Sequence, residues 1–78
     1  MRIIFSNHAE VKISQRRVPK SYIIKTLSAP DIIHHNPKGR DKYYKKFIKL
    51  HLRVVARKLK ARIIVITVHW VAKIPNKE

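Results

Sequence analysis

Arg62-Ile63-Ile64-Val65-Ile66-Thr67-Val68-His69-Trp70 is the stretch that decides how this chain folds. Its β-branched residues, uninterrupted by Gly or Pro, favour an extended strand over a helix. With a period of two, Ile64, Ile66, Val68 and Trp70 take one face and Ile63, Val65, Thr67 and His69 the other. Working backwards, Leu52 to Lys58 repeats the pattern, with Leu52, Val54 and Ala56 alternating with Arg53, Val55 and Arg57. Lys42 to Lys49 and Ile32 to His35 are further β-rich segments separated by short polar breaks. The four segments predict a small antiparallel meander, one face apolar enough to receive helices and the other collecting cations.

The first half of the chain has a different period. The only glycine, Gly39, lies in Asn36-Pro37-Lys38-Gly39, a strong turn signal that divides the sequence in two. Ahead of it, Asn7 and Glu10 have the spacing of a capping box, which predicts a helix from His8 to about Arg17. Pro19 suits the first position of a second helix running to about Ser28, where Ala29-Pro30 stops it. That helix gathers Tyr22, Ile23, Ile24 and Leu27 into an apolar face. A strand at Arg2 to Phe5 fits in front. The expectation is an α+β fold with two N-terminal helices packed on one face of a small curved antiparallel sheet of three to five strands, as a single domain over residues 1–78.

Composition names a partner class. Lys and Arg number 19 against 4 Asp and Glu, a formal net charge of +15 on 78 residues. Such self-repulsion points to a polyanionic partner, and nucleic acids are the commonest polyanions in a cell. Apolar residues make up 45%, enough for one small core rather than a disordered basic tail. The absence of cysteine removes disulfides and thiolate zinc sites and fits a reducing cytoplasm. The opening residues lack the apolar run of a secretory signal, and no run reaches the roughly 18 residues of a membrane span, so no membrane partner is expected.

Two constellations carry candidate chemistry. Consecutive hairpins would gather Lys45, Lys49, Arg53, Arg57, Thr67 and His69 on the cationic sheet face, with Tyr43 and Phe47 interleaved as rings on which unpaired RNA bases stack. The bland alternative is a solvated face whose lysines guard against edge pairing. On the first helix, His8, Lys12 and Arg16 recur every four residues as one stripe between Val11 and the Ala9/Ile13 side, so they face the protein body or the rim of a cleft. Structurally, His8 would then help cap the helix, and Arg16 would bind backbone carbonyls or Asp31.

The four carboxylates, Glu10, Asp31, Asp41 and Glu78, form no cluster in the sequence that suits a two-metal nuclease. His34 and His35, adjacent on a strand, point to opposite faces and make poor joint ligands. No Walker loop, GxGxxG or GxSxG motif is present. No metal or cofactor is therefore expected. What remains open is metal-independent RNA cleavage, in which the neighbouring 2′-hydroxyl is the nucleophile and the protein supplies proton transfer and positive charge. A histidine in a cationic field tends to stay neutral and suits the role of base. His69 or His8 would serve as that base, with Arg53, Arg57 or Arg16 stabilising the developing charge.

The order SNHAEVKISQRRVPKSYIIKTLSAPD, turn, KYYKKFIKLHLRVVARKLKARIIVITVHW resembles the family labelled domain of unknown function 4258, similar in appearance to RelE and BrnT toxins of toxin–antitoxin systems. The resemblance runs from about Arg2 to Trp70 and rests on His8-Ala9, Arg16, Ala29-Pro30-Asp31 and Ile66-Thr67-Val68. It implies a RelE-like fold with the helix-free face of the sheet open to RNA. It also implies a metal-independent endoribonuclease acting on messenger RNA, ribosome-bound mRNA included, and neutralised by an acidic antitoxin. His8 and Arg16 match the family's recurring His and Arg, and His69 stands on the last strand, where RelE-like proteins often keep a functional side chain. Lys12 stands where arginine is common and Arg17 where glycine is common, the latter at a helix-to-helix turn. The leading expectation places catalysis at His8, Arg16, His69 and Arg53, and RNA binding at Lys12, Tyr43, Lys45, Phe47, Lys49 and Arg57. The alternatives are a non-catalytic nucleic-acid-binding module using the same face, and an interaction protein that answers an acidic partner.

Overall fold

The structure, a computed structural model, describes residues 2–73. Strand β1 (Arg2–Phe5) leads into helices α1 (Asn7–Arg16) and α2 (Lys20–Ser28), followed by strands β2 (Ile32–His34), β3 (Asp41–Phe47), β4 (Leu50–Lys58) and β5 (Arg62–Val71). The strands form one five-stranded sheet in the order β1-β5-β4-β3-β2. Strands β2 to β5 pair antiparallel as an uninterrupted meander, and β1 joins the β5 edge in parallel. The expected α+β architecture, two helices on one face of a small sheet, is what forms; the parallel edge strand makes the sheet mixed. No helix among the described residues is long and apolar enough to cross a membrane.

Helix α1 starts one residue before the expected capping box. Ser6, not Asn7, is the N-cap, its hydroxyl accepting the Ala9 amide at 3.0 Å. The same hydroxyl donates to the Ile66 carbonyl at 3.3 Å, and the Ser6 amide donates to the Val65 carbonyl at 3.0 Å. Only Ser6 sits where cap and strand can be joined at once. Glu10 instead pairs with Lys20 at 3.1 Å, an exposed link between the helices. The α1 end closes through Arg17 in a left-handed conformation, φ 51°, which turns buried Val18 into the core. Arginine thus occupies the conformation that glycine adopts most readily. Pro19 is the extended N-cap of α2 rather than its first helical residue.

Residues opposite one another on neighbouring strands share a face. Leu52, Val54 and Ala56 of β4, none of them solvent-exposed, face the helices together with Val65 and Val68 of β5. Ala9, Ile13, Ile23 and Leu27 pack against them from the helices. Of the apolar residues expected on the core side of α2, Ile24 is an exception at 47% exposure. The two-residue turn Ile48-Lys49 joins Phe47 to Leu50 and pairs odd-numbered β3 residues with even-numbered β4 residues, so Tyr43 lies opposite Val54 and Lys45 opposite Leu52. Tyr43, Lys45 and Phe47 therefore lie on the helix side and not on the open cationic face expected for them. Extending β3 to Lys49 would place the turn two residues late; Ile48, a β-branched residue at φ 50°, gives no turn signal in the sequence.

A second break in parity falls in β5. Val55 pairs with Thr67 but Ala56 with Val65, leaving Ile66 as the extra residue of a bulge. Above it Val68 and Trp70 face the helices while Thr67 and His69 face the open side, as the alternation predicts. Below it the faces exchange, and Ile63 and Val65 enter the core.

Candidate functional site

Strand β1 covers β5 only from Arg62 to Val65. Beyond that point α1 packs beside β5. The Nη1 of Arg16 donates to the Val68 carbonyl at 2.8 Å, and the Trp70 indole N–H donates to the Arg16 carbonyl at 3.0 Å. These bonds tie the end of α1 to the upper part of β5. They also bring the His8, Lys12 and Arg16 stripe towards the sheet's open face.

On that face Tyr44, Arg53 and His69 form one row across three strands, Tyr44 opposite Arg53 and Arg53 opposite His69. Val55 and Thr67 form the adjacent cross-strand pair. The imidazole of His69 is held below its ordinary value of 6.5, first by burial and then by the positive charges of Arg16, Arg53, Lys12 and His8. His8, Arg16 and Arg53, chosen from the sequence, thus all act on His69 in the fold, with Lys12 as a further contributor. His8 is exposed in the first turn of α1, whereas Lys12, Arg16, Arg53 and His69 are half-buried.

Polar atoms here are unusually short of partners. Arg53 Nε, Thr67 Oγ1 and His69 Nδ1 are buried and have no hydrogen-bond partner among the described residues. All three belong to the block formed by the Arg53–His69 and Val55–Thr67 pairs. Buried polar groups normally find partners, so three orphans in one block mark the place where the protein alone does not complete the bonding.

The remaining expected RNA contacts are dispersed. Tyr43 is in the core, where burial and then Asp41 raise its phenol pKa. Lys45 donates to the Ala29 carbonyl at 2.9 Å beside the end of α2. Phe47 stacks on Tyr22 with ring centroids 4.4 Å apart and planes 2° from parallel. Lys49 is exposed in the β3–β4 turn, and Arg57 shares the open face but lies beside the Gly39 turn. In their place the observed register puts Lys42, Tyr44 and Lys46 on the open side. Sequence alternation missed these three because it carried the wrong parity through β3. His34 sets its ring edge-on to Tyr44 at 5.7 Å, while His35 is exposed and meets Asp41 at 3.3 Å.

A family model described as "Domain of unknown function (DUF4258)" matches residues 5–70. The chain belongs to that family. The DUF4258 match contains the whole cluster, from His8 on α1 to His69 on β5. No curated protein and no solved structure matches the chain.

Proposed function

We propose that this DUF4258 protein is an RNA-binding, metal-independent endoribonuclease of the toxin type, working at the junction of α1 with the open sheet face. The observation that carries the reading is the convergence of Arg16, Arg53, Lys12 and His8 on a histidine kept neutral. In this scheme His69 takes the proton from the 2′-hydroxyl, whose oxygen attacks the adjacent phosphorus. Arg53 and Arg16 stabilise the charge gathering on the phosphoryl oxygens. The bond to the 5′-oxygen breaks as that oxygen takes a proton from the exposed His8 side, leaving a 2′,3′-cyclic phosphate. Lys42, Lys46 and Arg57 attract the flanking backbone, and the +15 charge makes binding strongly salt-dependent. An acidic antitoxin would compete for the same cations, with the cytoplasm as the place of action.

A base that stays neutral fixes the sign of the pH dependence. The unfolded chain takes up the His69 proton as pH falls through about 6.5, but the folded site resists it. Its contribution to stability is therefore complete above that pH and lost as pH falls towards the lower folded value. The acid limb of kcat/KM is expected below pH 6.5, measured on RNA with chelator present. His69→Ala, His8→Ala and Arg16→Ala should each lower cleavage, His69→Ala by about 10²- to 10⁴-fold. RNA left intact by the wild-type protein, alone and on ribosomes, would remove the enzymatic reading.

One observation favours a second reading. Arg16 already spends a guanidinium nitrogen on the Val68 carbonyl, the structural use of that residue. A non-catalytic nucleic-acid-binding module would keep tight, salt-sensitive binding and give no cleavage products.

A further inference from the structure

Arg53 Nε–H and Thr67 Oγ–H are donors, and His69 Nδ1 is a donor in one tautomer and in the protonated ring. Without a partner among the described residues, they share one block of two cross-strand pairs on the open face. Their natural complement is a group that accepts several hydrogen bonds and carries negative charge. Among the described residues the carboxylates are engaged elsewhere: Glu10 pairs with Lys20, Asp31 accepts from the Lys46 amide, and Asp41 is engaged by the Asn36 amide and His35. The surrounding charges of Arg16, Lys12 and His8 all have the sign that favours an anion.

We propose that Arg53, Thr67 and His69 form a discrete receptor for a single phosphoryl group, built to donate hydrogen bonds to its oxygens, rather than one part of a diffuse basic surface. The assignment deepens the RNA reading by naming which side chains grip the phosphodiester and by adding Thr67, an uncharged residue, to them. The three atoms are shielded from water, but all three residues are only half-buried. Binding requires the Arg53 and His69 side chains to turn aside as the ligand enters. A buried donor that no protein group satisfies is costly, and a phosphoryl group would bond all three, which favours an acceptor of hydrogen bonds over a mere counter-ion.

Inorganic phosphate tests the receptor without RNA. The full chain is titrated with phosphate at constant ionic strength set with chloride, and the His69 ring resonances are followed by NMR. The expected result is a saturable shift with phosphate and none with chloride, together with a rise in the His69 pKa as the anion binds. Thr67→Val, which removes the hydroxyl and little volume, should weaken phosphate about tenfold. Thr67→Ser should restore it. Arg53→Lys keeps the charge and loses the Nε donor, so it should weaken binding to a similar extent. Lys25→Ala, on exposed α2, removes a full charge and should change nothing. A non-saturable response, or equal losses in Thr67→Val and Lys25→Ala, would overturn the receptor and leave general electrostatic attraction. If Thr67→Val fails to fold, Arg53→Lys decides alone against Lys25→Ala. Saturable phosphate binding without RNA cleavage keeps the receptor and removes the nuclease; cleavage without it does the reverse.

Discussion

The two faces of the sheet solve opposite problems. On the helix side, Leu52, Val54, Val65 and Val68 have no solvent exposure, Thr26 of α2 satisfies its buried hydroxyl on the Tyr22 carbonyl, and the Trp70 indole is bonded to Arg16. Apolar area is removed from water there without leaving polar groups unpaired, which is the combination that stabilises a fold. On the open side Arg53, Thr67 and His69 keep buried atoms without partners, and cations crowd one imidazole. Leaving those atoms without a protein partner costs that face stability. The lesson is that the same strands divide by residue parity, the even positions of β4 from Leu52 building the core and the odd ones carrying the face on which the proposed function rests.

The contrast breaks most visibly at Leu52. Leu52→Ala removes a fully buried side chain opposite Trp70 and Lys45 and should cost about 2–5 kcal/mol in chemical denaturation. In so small a domain that is a large part of the total stability. A cost under about 1 kcal/mol would mean that the helix side is not the main core.

Thr67 should behave in the opposite sense. Because its buried hydroxyl is unsatisfied, Thr67→Val replaces an orphan with a methyl group of similar shape and should raise stability by about 1 kcal/mol. Measured beside its loss of phosphate affinity, the gain would show stability and function trading at one atom. A destabilised Thr67→Val would instead mean that the hydroxyl has a bound partner in solution.

How much of this was legible in the sequence follows from local rules. The strands and helices are legible because their periods are clean, and the facing of β4 is legible because Leu52, Val54 and Ala56 alternate with Arg53, Val55 and Arg57 without interruption, although the strand starts two residues earlier, at Leu50. His8, Arg16, Arg53 and His69 could be named in advance because helical spacing and β5 alternation above the bulge both hold in the fold. Residues that depend on register could not. The bulge at Ile66 adds one residue in a run of near-identical β-branched side chains, so nothing marks where the parity changes. The expected stacking ring Tyr43 lies on the helix side, and Tyr44, which takes the opposite side beside Arg53, is itself buried; two adjacent tyrosines are distinguished only by the turn that follows them. The α1 cap shifted to Ser6 because a long-range bond to Ile66 selects it, and a four-residue capping pattern carries no such information.

That turn provides the subtlest test. Ile48 stands at φ 50° with 86% of its surface exposed, so it accepts a conformation disfavoured for β-branched residues while burying almost nothing. Ile48→Gly relieves the strain, about 1–3 kcal/mol at such positions. Against this, glycine gives the unfolded chain about 0.5–1 kcal/mol of additional entropy to lose. The net expectation is a gain of about 0–2.5 kcal/mol, and Ile48→Asn, which also tolerates positive φ, should behave alike. The informative measurement is the pairing of Phe47 with Leu50, read by hydrogen exchange and cross-strand NOEs. Retained pairing means that the apolar helix side of β3 and β4 holds the register and the turn merely follows. A one-residue slip would bring Tyr43 and Lys45 round to the open face and take Tyr44 away from Arg53, because side chains reverse with every step of register. Phosphate binding would then fall although no residue of the receptor had been changed, and the division of labour between the faces would rest on one strained isoleucine.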